Sequence, residues 1–152
     1  MNCTFLSTFL GLTPTELYPS EVTDSNVNWV CCFDPNIESA QIQMARVGKW
    51  MLFIPPRYIN ECWDKIIAGV KSGNLYSAKT LPAIKVDKVY ATMIYTKDYE
   101  DKEDIARVLN YLVSVGLKGK RKIYYKTDDQ TRAGIYSGDE ERSWIYSSDD
   151  FL

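Results

Sequence analysis

Apolar residues recur along this chain with two different periods, and each period marks a different kind of element. Ile59, Cys62, Trp63, Ile66, Ile67 and Val70 are spaced i, i+3, i+4, i+7, i+8 and i+11. That spacing lines them up as one stripe on a helix. It predicts a helix over residues 57–72, with Lys71 in the last turn and Gly73 as the stop. Ile105, Val108, Leu109, Leu112 and Val113 predict a second helix over 102–115, with Glu103 and Asp104 in its first turn and Gly116 beyond its end. The run 48–54 is nearly continuous in apolar residues and reads as a central strand, stopped by Pro55 and Pro56. Over 88–96 the pattern alternates. Val89, Ala91, Met93 and Tyr95 fall on one face, and Tyr90, Thr92 and Ile94 on the other. Shorter strands are predicted over 27–33, 74–80, 123–127 and 143–147, with 133–136 as a further candidate.

The remaining stretches carry weaker patterns. Residues 1–25 are mixed and read as irregular, apart from a helical turn that Thr13 and Pro14 could start. Residues 37–47 carry an ambiguous pattern. The acidic tail 148–152 is expected to fray. No repeat and no Pro/Gly-rich linker interrupts the chain, so a single domain over 1–152 is the expectation. Strands outnumber helices, and two or three helices suffice to cover one face of a curved, mainly antiparallel sheet. This is an α+β architecture with its other sheet face partly open.

Composition narrows the functional classes. The chain has 152 residues and a net charge of −2. The length allows a substantial core. The charge argues against long nucleic acid as a partner, which needs a clear excess of Lys and Arg, but leaves room for a small phosphorylated ligand. No apolar run reaches the roughly 20 residues of a membrane helix, and the N-terminus lacks a basic secretory leader. The four cysteines form no C-x-x-C pair and read as reduced, mostly buried thiols of a cytoplasmic protein. There is no histidine. Nucleophiles activated by His, His general bases and nearly all transition-metal sites are therefore excluded. No cofactor or metal is expected.

An ordered set of segments has a family character. Gly48-Lys49-Trp50-Met51-Leu52-Phe53 is followed by a helix carrying Trp63 and Ile66. Gly73, Leu75, Ala78 and Lys79 come next, then Tyr95-Thr96-Lys97-Asp98, Asp101 and Arg107-Val108. Tyr125-Lys126-Thr127-Asp128, Thr131, Ala133-Gly134-Ile135-Tyr136 and Ile145-Tyr146-Ser147 complete the series. Over 48–147 this series resembles the basophilic leukaemia-expressed protein family. The resemblance implies a fold like that of the cap-binding initiation factor eIF4E, with helices on the convex side of a curved sheet and a ligand-capable concave side. It does not imply cap binding, because no second tryptophan aligns to sandwich a methylated base.

Candidate binding residues follow from both readings. Lys79, Lys126 and Arg132 sit at or near strand ends and suit phosphate clamping, although edge strands also carry such charges for solubility. Trp50 suits stacking on a base, or equally a place in the core. Lys49 points to the opposite face from Trp50. Tyr125, Tyr136 and Tyr146 offer aromatic area with a hydroxyl, for ligand contact or for sheet packing. Asp128, Thr131 and Arg132 share one loop, where Asp128 could read a base N–H or a ribose hydroxyl. Asp98, Glu100, Asp101, Glu103 and Asp104 could gather a hard cation, but acids at a helix N-terminus chiefly answer its dipole.

The leading expectation is thus a non-catalytic binder of a phosphorylated small molecule, a nucleotide before others. It would lie on the concave sheet face and could sequester a nucleotide signal, as in virus–host conflict. A homo-oligomer is compatible with this. The alternatives are an enzyme acting on a phosphoryl bond without histidine and a protein-interaction module using exposed aromatics.

Overall fold

The computed structural model describes residues 17–34, 46–128 and 143–152. Six strands form one open antiparallel sheet: β1 (Val30–Phe33), β2 (Gly48–Ile54), β3 (Ser77–Thr80), β4 (Tyr90–Thr96), β5 (Tyr124–Thr127) and β6 (Tyr146–Ser147). Their order across the sheet is β1-β3-β4-β2-β5-β6. Among the described residues two helices accompany them, α1 (Ile59–Lys71) and α2 (Lys102–Ser114). The described chain divides into two compact units, 17–34 with 52–94, and 46–51 with 95–128 and 143–152.

In the first unit, α1 follows the predicted stripe. Ile59, Trp63, Ile66 and Val70 are buried, while Cys62 and Ile67 lie half-buried at its margins. Pro56 opens a short 3-10 turn, Pro56–Tyr58, that leads into the helix. Gly73 ends it at φ +81°, a backbone region that disfavours a Cβ. The backbone N–H of Leu75 then reaches back to Gly69 O at 3.0 Å. The turn Pro19–Glu21 is tied to the helix surface. Tyr18 donates to Asp64 at 3.1 Å and Ser20 to Asn60 at 2.6 Å. β1 and β3 pair antiparallel with Cys31 opposite Lys79.

In the second unit, Asp101 caps α2 by accepting the backbone N–H of Asp104 at 3.1 Å. Ile105, Val108, Leu109 and Leu112 form the buried stripe. Val113, expected among them, is exposed. It lies one position past Leu112, about 100° around the helix, which turns it away from the stripe. β5 pairs with β2 and with the short β6.

Burial along β4 alternates strictly. The inner set is Tyr90, Thr92, Ile94 and Thr96, the more polar of the two predicted faces. It is tolerated inside because its threonine hydroxyls are partnered. Within the first unit Thr92 bonds Thr80 at 2.8 Å, and within the second Thr96 bonds the Tyr125 hydroxyl. The strands are shorter than the sequence pattern suggests at 27–29, 74–76, 88–89, 123 and 143–145. In the tail, Ser148–Asp150 form a 3-10 turn, Ser148 is fully buried, and the Phe151 ring packs on Trp50. The predicted turn at Thr13 and the candidate strand 133–136 lie outside the described residues.

Candidate functional site

Strand alternation and register sort the predicted residues onto two faces. Within β2, Gly48 and Trp50 face one way and Lys49 and Met51 the other. The β2–β5 register sets Trp50 opposite Tyr125, Lys49 opposite Lys126, and Met51 opposite Tyr124. Two lysines therefore stand side by side on one sheet face, with the large aromatic pair on the other.

The aromatic face is the core of this unit. Trp50 and Tyr125 are each 0% exposed. The Trp50 indole N–H donates to Ile105 O of α2 at 3.2 Å, and its ring meets Tyr125 and Phe151 edge-on at 5.3 and 6.0 Å. Tyr146 stacks against Tyr125 at 5.7 Å, donates its hydroxyl to Tyr99 O at 3.3 Å, and lies 5.7 Å from Lys102 Nζ. Burial raises its phenol pKa. Trp50 and Tyr125 lie wholly within this packing, and Tyr146 packs on the same side.

The lysine face is different. Lys49 and Lys126 are only 4% and 5% exposed, unusual for lysine. Lys49 Nζ donates to Asp128 Oδ1 at 2.8 Å and lies 5.7 Å from the Tyr95 ring centre. Asp128 is positioned by its own backbone N–H, which donates to Val47 O at 3.0 Å. Two residues along the strands, the cross-strand pair Met51–Tyr124 is half-buried. Tyr124 in turn contacts half-buried Trp144 with ring centres 4.7 Å apart.

Of the predicted residues, then, Lys49, Lys126 and Asp128 come together, and Trp50, Tyr125 and Tyr146 gather on the opposite face. Lys79 belongs to the other unit, where its ammonium sits 4.2 Å over the Trp29 ring. The neighbouring Cys31 thiol is pushed up to about 11 by burial, against a smaller opposing pull from Lys79. Thr131, Arg132 and Tyr136 lie outside the described residues. Tyr95, Tyr124 and Trp144 join the lysine face without having been singled out as site residues. The strand alternation that pairs Tyr124 with Lys126 on one face was the signal for Tyr124. For Tyr95 and Trp144 only the folded structure supplies it.

The acidic cluster is taken up locally. Arg46 bridges Asp98 and Glu100, each at 2.9 Å. Asp101 caps α2, and Asp104 pairs with Arg107 at 2.9 Å. Desolvation works to raise the Asp98 pKa, but the backbone N–H of Glu100 and the Arg46 guanidinium outweigh it and hold the carboxyl below its ordinary value. Among the described residues no His/Cys/Asp/Glu group could hold a metal ion, and no helix is long and apolar enough to cross a membrane.

The fold is that of the eIF4E cap-binding proteins. A schistosome eIF4E complexed with m7GpppA and 4E-BP superposes with a TM-score of 0.63 at 15% identity, covering 94% of this chain and 79% of that one. Ascaris suum eIF4E-3 with an m7G cap gives 0.56 at 10% identity, covering 95% and 78%. C. elegans eIF4E-3, in complex with the 4E-binding protein Mextli and a cap analogue, gives 0.57 at 10% identity, covering 85% and 76%. The sequence itself matches the basophilic leukemia-expressed protein Bles03 family over residues 36–133, more than half of the chain. The chain belongs to that family. No curated protein matches it.

Proposed function

We propose that this protein binds a small phosphorylated ligand of the nucleotide class, without turnover, at the Lys49–Lys126 face of its sheet. The observation that carries this reading is the direct opposition of two buried lysines across the β2–β5 ladder. Like charges set directly opposite each other destabilise a sheet, and ammonium groups are costly to bury. The pair concentrates positive charge at one place on the sheet, which suits recognition of an anion. Held away from water, the two cations attract an anion more strongly than surface lysines do. The structural neighbours add support, since their complexes contain cap nucleotides. The absence of histidine and the local use of the acidic cluster favour holding over chemistry. A protein of this kind would act by sequestering its ligand.

Isothermal titration with a panel of nucleotides is the test. Binding should appear for at least one member, weaken with added salt, and fall at least about tenfold in Lys126→Met, which removes one of the charges a phosphate would meet. The ligand should be recovered chemically intact after denaturation. Absence of heat with every nucleotide at millimolar concentration overturns the reading, and recovery of an altered ligand points to the phosphoryl-bond enzyme instead.

A further inference from the structure

The lysine pair accounts for an anion but not for the rest of a nucleotide, and the same face continues past it. On β2 and β5 the next residues on that face are Met51 and Tyr124, which are cross-strand partners. Strand geometry places them about 7 Å from the lysine pair, two residues at roughly 3.3 Å each. Trp144 closes on Tyr124 at 4.7 Å between ring centres, tilted by 42°. Exposure changes along this line. Lys49 and Lys126 are buried, whereas Met51, Tyr124 and Trp144 are each half-buried. The face is therefore cationic at its deep end and aromatic at its more open end.

Both described elements that cover this unit's sheet lie on its other side. α2 receives the Trp50 indole N–H, and the C-terminal turn delivers Phe151 to Trp50 and Tyr146. Tyr124 and Trp144 are thus not needed to fill that core. Two aromatic side chains partly open to solvent, one strand step from a pair of buried ammonium groups, match a ligand that joins a planar ring to an anion by a short polar spacer. A nucleoside 5′-phosphate has this form, with its ribose spanning the interval between phosphate and base.

Resting on the anion-binding reading above, we infer that Tyr124 and Trp144 form the base platform of the site. The phosphate lies at Lys49 and Lys126, the ribose runs over Met51, and the heterocycle packs on the tilted Tyr124–Trp144 pair. Stacking on aromatic side chains is tolerant of base identity, so the platform selects for a planar ring rather than for one base. Met51 adapts its shape to the sugar, as an unbranched thioether does.

The test compares a nucleoside 5′-monophosphate, the matching nucleoside and inorganic pyrophosphate, on the full chain and on Trp144→Ala, Trp144→Phe and Tyr124→Ala. The nucleotide should bind more tightly than pyrophosphate and quench tryptophan fluorescence, a signal lost in Trp144→Phe. Trp144→Ala and Tyr124→Ala should each cost about tenfold or more in nucleotide affinity while leaving pyrophosphate affinity unchanged, and Trp144→Phe should retain most of it. Unchanged nucleotide affinity in Trp144→Ala overturns the platform, as does an equal loss for nucleotide and pyrophosphate. In either case pyrophosphate binding that depends on Lys126 leaves the anion site standing. If neither phosphate compound binds the full chain, the platform and the anion site fall together.

Discussion

The ring of Tyr125 occupies the space where a side chain at Gly48 would stand. A Cβ built there would lie 2.5 Å from Tyr125 Cε1 and closer still to the hydroxyl end of the ring. Tyr125 cannot swing aside, because it has no exposed surface and its hydroxyl is engaged by Thr96. Glycine at the start of β2 is therefore required by packing. Gly48→Ala should destabilise the fold by about 1–3 kcal/mol through overpacking, read as a lower urea midpoint with unchanged slope. Adding Tyr125→Phe should not rescue it, since the ring carbons remain in the way; rescue by that second change would show that the hydroxyl alone conflicts.

Asp128 holds Lys49 in a 2.8 Å ion pair, with side chains only 5% and 16% exposed. A ligand phosphate approaching Lys49 would compete with that carboxylate. Asp128→Asn should therefore move stability and affinity in opposite directions. Stability should fall by about 1–3 kcal/mol, because a buried ammonium loses its charged partner. Affinity for a phosphate ligand should rise several-fold, because Lys49 is released. Denaturation and titration on the same preparation measure both. If affinity falls instead, Asp128 contacts the ligand directly, as a reader of a base N–H or ribose hydroxyl.

Cys31 and Cys62 differ in burial, and their reactivity should differ with it. Cys31 is 1% exposed, and its thiol is pushed up to about 11, mainly by desolvation. At pH 8 only about one molecule in a thousand would carry the reactive thiolate. Burial also raises the Cys62 thiol, but this residue lies half-buried on α1. Alkylation of the folded protein at pH 8 should modify Cys62 and spare Cys31. Labelling of Cys31 should begin only as denaturant unfolds the chain, or as pH rises toward the thiol pKa in protein that remains folded. Peptide mapping by mass spectrometry reads both sites, and equal labelling rates in the native protein would contradict the burial of Cys31.

Local pattern carried much of the architecture. The stripes of α1 and α2, the glycines beyond their ends and the full extent of β2 are short-range features, each set by residues a few positions apart. They could be read because helix and strand periods act within one segment. Family character was likewise legible in an ordered set of segments, although no single one is specific. Composition alone also settles that none of these 152 residues is a histidine, so none of them can do a histidine's chemistry.

The site was legible only in its ingredients. Lys49, Lys126 and Asp128 could be picked out singly, but their meeting depends on the register of two strands far apart in sequence, which no local period encodes. The same register carried Trp50 and Tyr125 to the opposite face, where α2 and the C-terminal turn cover them. Either face of β2 is apolar enough to be buried, so alternation says which residues share a side but not which side receives the helix. Tertiary packing made that choice: it placed Trp50 and Tyr125 in the core and set Lys49, Lys126 and Tyr124 on the opposite face.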